Sequence, residues 1–109
     1  MGRMYYGNVT EAIDVDDVDL AHLRMVAMTK LRRSEGFSLT FSSPTQGRTA
    51  LWVHCAIPLR FEFDSAEPIR LEPVRVNELA QAAASAAGIV MELAAETAVR
   101  SRAELAAVA

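Results

Sequence analysis

The strongest constraint on the fold is a series of three segments in which apolar and polar residues alternate. They cover residues 37–41, 49–57 and 59–63. Alternation with a period of two is typical of a β-strand with one face on the core, because successive side chains point to opposite faces. A turn over residues 43–47 and Pro58 separate the segments, since proline cannot donate to a strand ladder. The pattern predicts a three-strand antiparallel meander.

Each strand of this meander is predicted to turn one set of side chains towards the core. The inward residues are Phe37, Leu39, Phe41, Leu51, Val53, Cys55, Ile57, Leu59, Phe61 and Phe63. The middle strand then carries Trp52 and His54 on the opposite face. Pairing in sequence order gives these two side chains four polar neighbours on the flanking strands: Thr40, Ser42, Arg60 and Glu62. Something must either cover the pair or use it.

The first helix is predicted from its ends and from its apolar stripe. Asp16 or Asp17 can cap the first turn, and Gly36 can follow the last turn. Four apolar residues recur at the helical period: Leu20, Leu23, Ala27 and Leu31. Met25 and Val26 lie away from this stripe, so a second side of the helix is also expected to be covered.

Four further elements are expected: an opening hairpin or two edge strands (4–6 and 12–15), a second helix (73–87) and a final strand (89–91). The sequence therefore predicts a single α+β domain over residues 1–93, in which an antiparallel sheet is packed by two helices. Residues 94–109 are rich in alanine and predict a C-terminal helical tail.

Composition and charge limit the class of protein. The chain has 109 residues, of which 51% are hydrophobic and 23% charged, a balance typical of one globular domain. The net charge of −3 argues against broad, non-specific binding to nucleic acid. Cys55 is the only cysteine, so an intramolecular disulfide and a cluster of thiolate metal ligands are excluded. Because no apolar run approaches the ~20 residues of a membrane helix, a cytoplasmic protein is expected.

No metal or cofactor is predicted. The sequence has no Gly-rich phosphate loop, no G-x-S-x-G elbow and no H-E-x-x-H motif. The acidic run over residues 14–19 lacks the glycine and the distal glutamate of a calcium loop, so helix capping explains it better. Cys55 is expected to be a buried structural thiol, because it alternates inward with Val53 and Ile57.

Trp52 and His54 form the first candidate site. Cover by the second helix, by the tail or by a second subunit is the leading interpretation. The alternatives are stacking on a base or gripping a peptide, and a small-molecule site or enzyme in which His54 works beside Arg60 and Glu62. No catalytic residue is assigned, because the sequence fixes no nucleophile or second carboxylate beside His54.

Basic residues form the second candidate site: His22, Lys30, Arg32, Arg33 and Arg48. Nucleic-acid contact by these residues, together with Trp52, is one interpretation. A solvated helix end is the leading one, because cations near the C-terminus of a helix interact favourably with its dipole.

The chain resembles a family of short, uncharacterised actinobacterial proteins, a domain-of-unknown-function family. The resemblance covers about residues 1–93 and departs at Cys55-Ala56, where relatives usually have Pro-Ser, and in the alanine-rich tail. It rests on the segments Tyr5-Tyr6-Gly7-Asn8, Leu20-Ala21-His22-Leu23, Lys30-Leu31-Arg32-Arg33-Ser34-Glu35, Gly47-Arg48, Leu51-Trp52-Val53-His54 and Ile57-Pro58-Leu59-Arg60-Phe61. The resemblance implies no established activity.

Proteins of this kind often carry the name ATP-dependent DNA ligase. Nucleotidyl transfer in such ligases needs a lysine nucleophile in a K-x-D-G motif, a metal-binding carboxylate and domains that encircle DNA. Lys30 is the only lysine here, and Leu31-Arg32-Arg33 follows it. The residues therefore argue against ligase activity.

The leading functional hypothesis is a non-enzymatic interaction module that self-associates as a homo-oligomer. It rests on the apolar residues off the main stripe of the first helix, on Trp52, and on a tail with too little apolar surface to stand alone. A nucleic-acid-binding accessory protein and a small-molecule site around His54 stay as alternatives.

Overall fold

Six strands and two helices occupy the described part of the chain, which covers residues 1–7, 11–45 and 47–93 of a computed structural model. The elements are β1 (Gly2–Tyr6), β2 (Ile13–Val15), α1 (Asp17–Arg32), β3 (Phe37–Ser43), β4 (Gly47–Val53), β5 (Leu59–Glu62), α2 (Pro73–Ala84) and β6 (Ile89–Glu92). The α+β class, the opening hairpin, both helices and the final strand are confirmed. The predicted helical tail over 94–109 lies outside the described residues.

The strands form two three-stranded sheets. The first sheet has the order β2-β1-β5 and is antiparallel throughout. The second has the order β4-β3-β6, in which β3 pairs antiparallel with β4 and parallel with β6. α1 packs on β1 of the first sheet and on α2, and α2 packs on β3 and β6 of the second.

The predicted order of the meander is wrong at its third strand. β5 does not pair with β4. It pairs with β1, so that Arg60 lies opposite Tyr5. The cause lies in the connection after β4, which makes its own turn through a hydrogen bond from Ile57 N–H to the His54 carbonyl. Pro58 then accepts a hydrogen bond from Gly7 N–H at 2.8 Å, which joins the chain to the end of β1. β4 is therefore an edge strand.

The core lies between the helices and the inner faces of the two sheets. Its largest fully buried side chains include Phe37, Met4, Leu20, Leu23, Leu39, Ile89 and Met91. The inward prediction is confirmed for β3 and for Val53. It is wrong for Cys55 and Ile57, which are exposed because the chain enters a turn one residue after Val53. On α1, Val26 is buried and Met25 is exposed.

The structure confirms the predicted start of α1 and corrects the predicted residue at its end. Asp16 caps the first turn, and its carboxylate accepts hydrogen bonds from Val18 N–H at 3.1 Å and Asp19 N–H at 3.4 Å. At the other end Ser34, not Gly36, takes the left-handed conformation, with φ of 59°. Gly36 lies instead against Trp52 and the main chain of Val53, where a side chain would not fit. None of the helices in the described ranges is long and apolar enough to cross a membrane.

Candidate functional site

The outer face of the second sheet, which points away from the core, carries Trp52. We call this surface the outer face; its members are Arg48, Ala50 and Trp52 of β4, Ser38, Thr40 and Ser42 of β3, and Val90 and Glu92 of β6. Trp52 is 62% exposed, which confirms that it points away from the core. Its neighbour across the ladder is Ser38, while Thr40 and Ser42 lie opposite Ala50 and Arg48. The outer face is thus mostly small and polar, with one large aromatic ring at a corner.

Gly36 positions the indole of Trp52. A Cβ atom at Gly36 would lie 3.0 Å from Cζ2 of Trp52 and 2.9 Å from the carbonyl oxygen of Val53. The missing side chain lets the indole approach the main chain between α1 and β3. The ring is therefore supported on one side while most of its surface stays open to solvent.

The hydroxyl of Tyr6 closes one end of the β4 edge. It donates a hydrogen bond to the Trp52 carbonyl at 2.6 Å and accepts one from His54 N–H at 3.1 Å. Because the main-chain groups of an antiparallel strand alternate in direction, the Trp52 bond shows that residues 48, 50 and 52 point their N–H and C=O groups away from β3. Among the described residues, none bonds to the main-chain groups of Arg48 and Ala50 on this open side.

Tyr6 was not among the residues that the sequence singled out. Its contact depends on the pairing of β1 with β5, which brings the end of β1 against the edge of the other sheet. Nothing in the spacing of the sequence indicates that pairing. The only sequence signal at Tyr6 was its place in the segment Tyr5-Tyr6-Gly7-Asn8, on which the family resemblance rests, and that signal assigns no role.

His54 follows β4 directly and belongs to a turn. Its Nδ1 accepts a hydrogen bond from Ala56 N–H at 3.0 Å, and its side chain is exposed. Cys55 lies exposed in the same turn. The structure thus keeps Trp52 and His54 near each other at the end of β4, with the imidazole occupied locally on one nitrogen.

Arg60 and Glu62 lie on the other sheet, because β5 pairs with β1 and not with β4. The Arg60 guanidinium stacks over the Tyr5 ring, 4.2 Å from its centroid. Glu62 accepts hydrogen bonds from Arg3 Nε at 3.3 Å and from the Tyr5 hydroxyl at 3.2 Å. Because side chains alternate along β1, Arg3 and Tyr5 lie on the opposite face from Tyr6. Arg60 and Glu62 contact Arg3 and Tyr5, so they face away from the side on which Tyr6 meets β4. The four predicted residues therefore form two separate pairs.

Glu62 and Asp64 belong to an ion network that holds β1. The Asp64 carboxylate accepts hydrogen bonds from the Met1 amine at 2.7 Å and from Arg3 at 3.2 Å. The hydrogen bond from Arg3 lowers the pKa of Glu62, and the hydrogen bond from the Met1 amine lowers the pKa of Asp64. The same contact with Asp64 raises the pKa of the Met1 amine. These groups connect the start of β1 to the end of β5.

His22 is buried, contrary to its predicted place on a solvated helix face. Only 2% of the residue is exposed. Its Nδ1 lies 2.6 Å from the Val18 carbonyl, and its Nε2 lies 2.9 Å from the main-chain N–H of Glu72. Because a carbonyl only accepts and an N–H only donates, Nδ1 carries a proton and Nε2 accepts. The ring joins α1 to Glu72, the residue just before α2.

The other basic residues fall into two groups. Lys30 pairs with Glu35 at 3.1 Å. Arg32 and Arg33 are exposed at the end of α1, next to the start of β3, whereas Arg48 is exposed opposite Ser42, near the far end of that strand. The structure therefore brings Arg32 and Arg33 together and keeps Arg48 apart from them.

Residues 1–94 match the family model described as Domain of unknown function (DUF7882). The chain belongs to this family. The match spans every described element from β1 to β6. A search of curated proteins and a search of solved structures each gave no match.

The candidate site of this DUF7882 domain combines the outer face with the open edge of β4. Within residues 1–7, 11–45 and 47–93, no group of three His, Cys, Asp or Glu side chains is placed to hold a metal ion. What the candidate site offers is an aromatic ring, an arginine and a row of main-chain groups along one edge. Such an arrangement is suited to binding another strand.

Proposed function

We propose that this DUF7882 domain is a non-enzymatic interaction module that pairs with a second copy of itself along β4. The observation that carries the proposal is the open edge of β4. With seven residues it is the longest edge strand in the described ranges; β2 has three residues, and β5 and β6 have four each. A long edge strand with free main-chain groups is a template for pairing with another chain.

The β4 edge lacks the features that usually prevent such pairing. Between Gly47 and Val53 there is no proline, and Arg48 is the only charged residue. The register with β3 runs through seven consecutive pairs without a bulge. Native edges are normally protected by prolines, by lysines or by bulges that twist the strand away. The absence of these features within β4 supports use of the edge.

The side chains of β4 complement a second, antiparallel copy. A two-fold axis at Ala50 places Arg48 of each copy opposite Trp52 of the other, and all of these side chains lie on the outer face. A guanidinium over an indole contributes about 0.5–1 kcal/mol at an exposed site. The small Ala50 in the centre leaves room for the two chains to approach. Charge and shape thus favour a second copy over an unrelated strand.

The main-chain groups of the edge fit the same register. With the axis at Ala50, its N–H and C=O exchange two hydrogen bonds with the second copy. Trp52 N–H of each copy reaches the Arg48 carbonyl of the other, which gives two more. The Trp52 carbonyl keeps its bond to Tyr6. Because the Tyr6 hydroxyl occupies the Trp52 carbonyl and His54 N–H, this pairing extends no further than Trp52.

Sedimentation velocity at tens to hundreds of micromolar tests the proposal on the full chain. We expect a concentration-dependent dimer for the wild type and for Ala50→Ser, which keeps the N–H group. Ala50→Pro should be monomeric, because proline removes an outward N–H without touching the β3 ladder. Circular dichroism is the control that checks whether the Ala50→Pro variant is folded. A wild type that stays monomeric, or an Ala50→Pro variant that dimerises like Ala50→Ser, contradicts the proposal.

Trp52→Ala gives a second test that does not alter the main chain. It removes the ring that would meet Arg48 of the second copy. The dimer of this variant should therefore be weaker and should dissociate at a higher protein concentration than the wild-type dimer. Val90→Ala is the matched control, because Val90 lies exposed on the same outer face but on β6, away from the open edge. Equal dimerisation of the Trp52→Ala and Val90→Ala variants would argue against the Arg48 and Trp52 pairing.

Nucleic-acid binding is the competing proposal, and it has less support. His22 is buried, Lys30 is held by Glu35, and Arg48 lies apart from Arg32 and Arg33. We expect no binding of labelled single-stranded DNA, duplex DNA or RNA by fluorescence anisotropy at low salt. Salt-sensitive binding that is lost in Arg32→Ala and Arg33→Ala would favour nucleic acid over self-association.

A further inference from the structure

A groove separates α1 from the segment 63–71 that follows β5. Its volume is about 350 Å³, near the lower end of the range for small-molecule sites. The apolar part of its lining consists of half-buried side chains: Phe61, Phe63, Ile69 and Leu71. The groove lies on the side of the first sheet, away from the β4 edge, so it is independent of the proposed pairing.

Two side chains of opposite charge line the same groove. Arg24 comes from α1 and Glu67 from the facing segment, and both are exposed. Among the described residues, neither forms an ion pair with the other or with a third group. Two opposite charges beside one apolar surface leave a place for a ligand that carries both signs.

The wall opposite α1 is held in shape by local contacts. Glu67 N–H donates a hydrogen bond to Ser65 Oγ at 3.1 Å, and Pro68 follows with its restricted backbone. At the other end of the segment, His22 of α1 accepts a hydrogen bond from Glu72 N–H. The first contact shapes the segment locally, and the second fixes its end against α1. A preformed groove loses less conformational entropy when a ligand binds.

We propose that this groove binds a free α-amino acid with a large apolar side chain. Arg24 donates hydrogen bonds to the carboxylate, and Glu67 accepts hydrogen bonds from the ammonium group. The side chain of the ligand packs against Phe61 and Phe63. A ligand with only a carboxylate would leave the charge of Glu67 without a partner. A peptide terminus would supply only one of the two charges.

Titration of the full chain with L-leucine and with L-phenylalanine, followed by NMR amide shifts, tests the proposal. We expect saturable shifts confined to α1 and residues 61–71. Glycine, N-acetyl-L-leucine and L-leucinamide each lack one of the three recognised groups and should bind about tenfold or more weaker. Equal binding by the blocked compounds, or no shifts with either amino acid, overturns the proposal.

Charge variants identify the two residues. Arg24→Gln and Glu67→Gln should each weaken L-leucine binding by about tenfold or more, because each removes one charge-assisted contact. Arg33→Gln is the matched control, since Arg33 is exposed just after α1 and does not line the groove. The double exchange of Arg24→Glu with Glu67→Arg should restore binding with the ligand reversed. Binding unaffected by both single variants would assign the shifts to another site.

Discussion

His22 joins the two helices with one side chain. It donates to the Val18 carbonyl within α1 and accepts from Glu72 N–H at the start of α2. No carboxylate caps the first turn of α2, where Glu72 makes no side-chain hydrogen bond to the helix. The imidazole is thus the contact that fixes the position of the chain just before Pro73.

Replacing His22 by phenylalanine tests this role, because it keeps an aromatic ring but removes the acceptor for Glu72 N–H. We expect a loss of about 1–3 kcal/mol in the free energy of unfolding, the usual cost of an unsatisfied buried donor. Urea denaturation measures it. Thr29→Ala, an exposed change on the same helix, should stay within about 0.5 kcal/mol. A His22→Phe variant as stable as Thr29→Ala would rule out the role.

At the scale of elements, the first sheet is held by charges as well as by its ladder. Arg3 of β1, the Met1 amine and two carboxylates, Glu62 and Asp64, form one network at the end of β5. Each of these groups is partly exposed, so salt screens their interactions. Because its carboxylates and its amine titrate with shifted pKa values, the contribution of the network to stability also depends on pH.

The sign of that dependence follows from the pKa shifts. Glu62 and Asp64 have lowered pKa values when folded, so their contribution is present above about pH 4 and is lost as the pH falls through the folded values. The Met1 amine has a raised pKa, so its contribution is present below about pH 8 and is lost as the pH rises through the folded value.

Asp64→Asn should flatten the dependence of the urea midpoint on pH at both ends, because Asp64 contacts the amine and Arg3. Glu78→Gln is the control, since its partner Arg75 lies on the same helix. The measurement is the urea midpoint between acid and mildly alkaline pH. Curves of the wild type and Asp64→Asn that run parallel throughout would show that the network contributes nothing.

The elements themselves were largely predictable, while their partners were not. Alternation identified β3, β4 and β5 and the face of each, because a period of two is a local property of a strand. It says nothing about which strand lies alongside, and the bond from Gly7 N–H to Pro58 moved β5 to the other sheet. The same limit explains Cys55, where the alternation continues beyond the end of β4.

Among the site residues too, local features were predictable from the sequence and contacts with distant residues were not. The outward direction of Trp52 was predictable from its own strand. The burial of His22 was not, because it depends on Glu72, fifty residues away in the chain. Tyr6 and Gly36 were missed for a similar reason, since each acts on Trp52 from a distant part of the sequence.

At the scale of the whole molecule, the two sheets expose different surfaces. The first sheet and α1 border the groove of Arg24 and Glu67, and the second sheet presents the outer face and the β4 edge. The Tyr6 hydroxyl links them, because it extends from β1 to the end of β4. Pairing along β4 would extend the second sheet to six strands across the two-fold axis and leave the groove of each copy open.

Amide hydrogen exchange along β4, measured at low and at high protein concentration, tests the pairing most directly. The amides of Thr49, Leu51 and Val53 point towards β3 and serve as an internal reference that should be protected at both concentrations. The amides of Ala50 and Trp52 should exchange quickly in dilute solution and slowly in concentrated solution. Rapid exchange of Ala50 and Trp52 at both concentrations, beside a protected Leu51, would contradict the account.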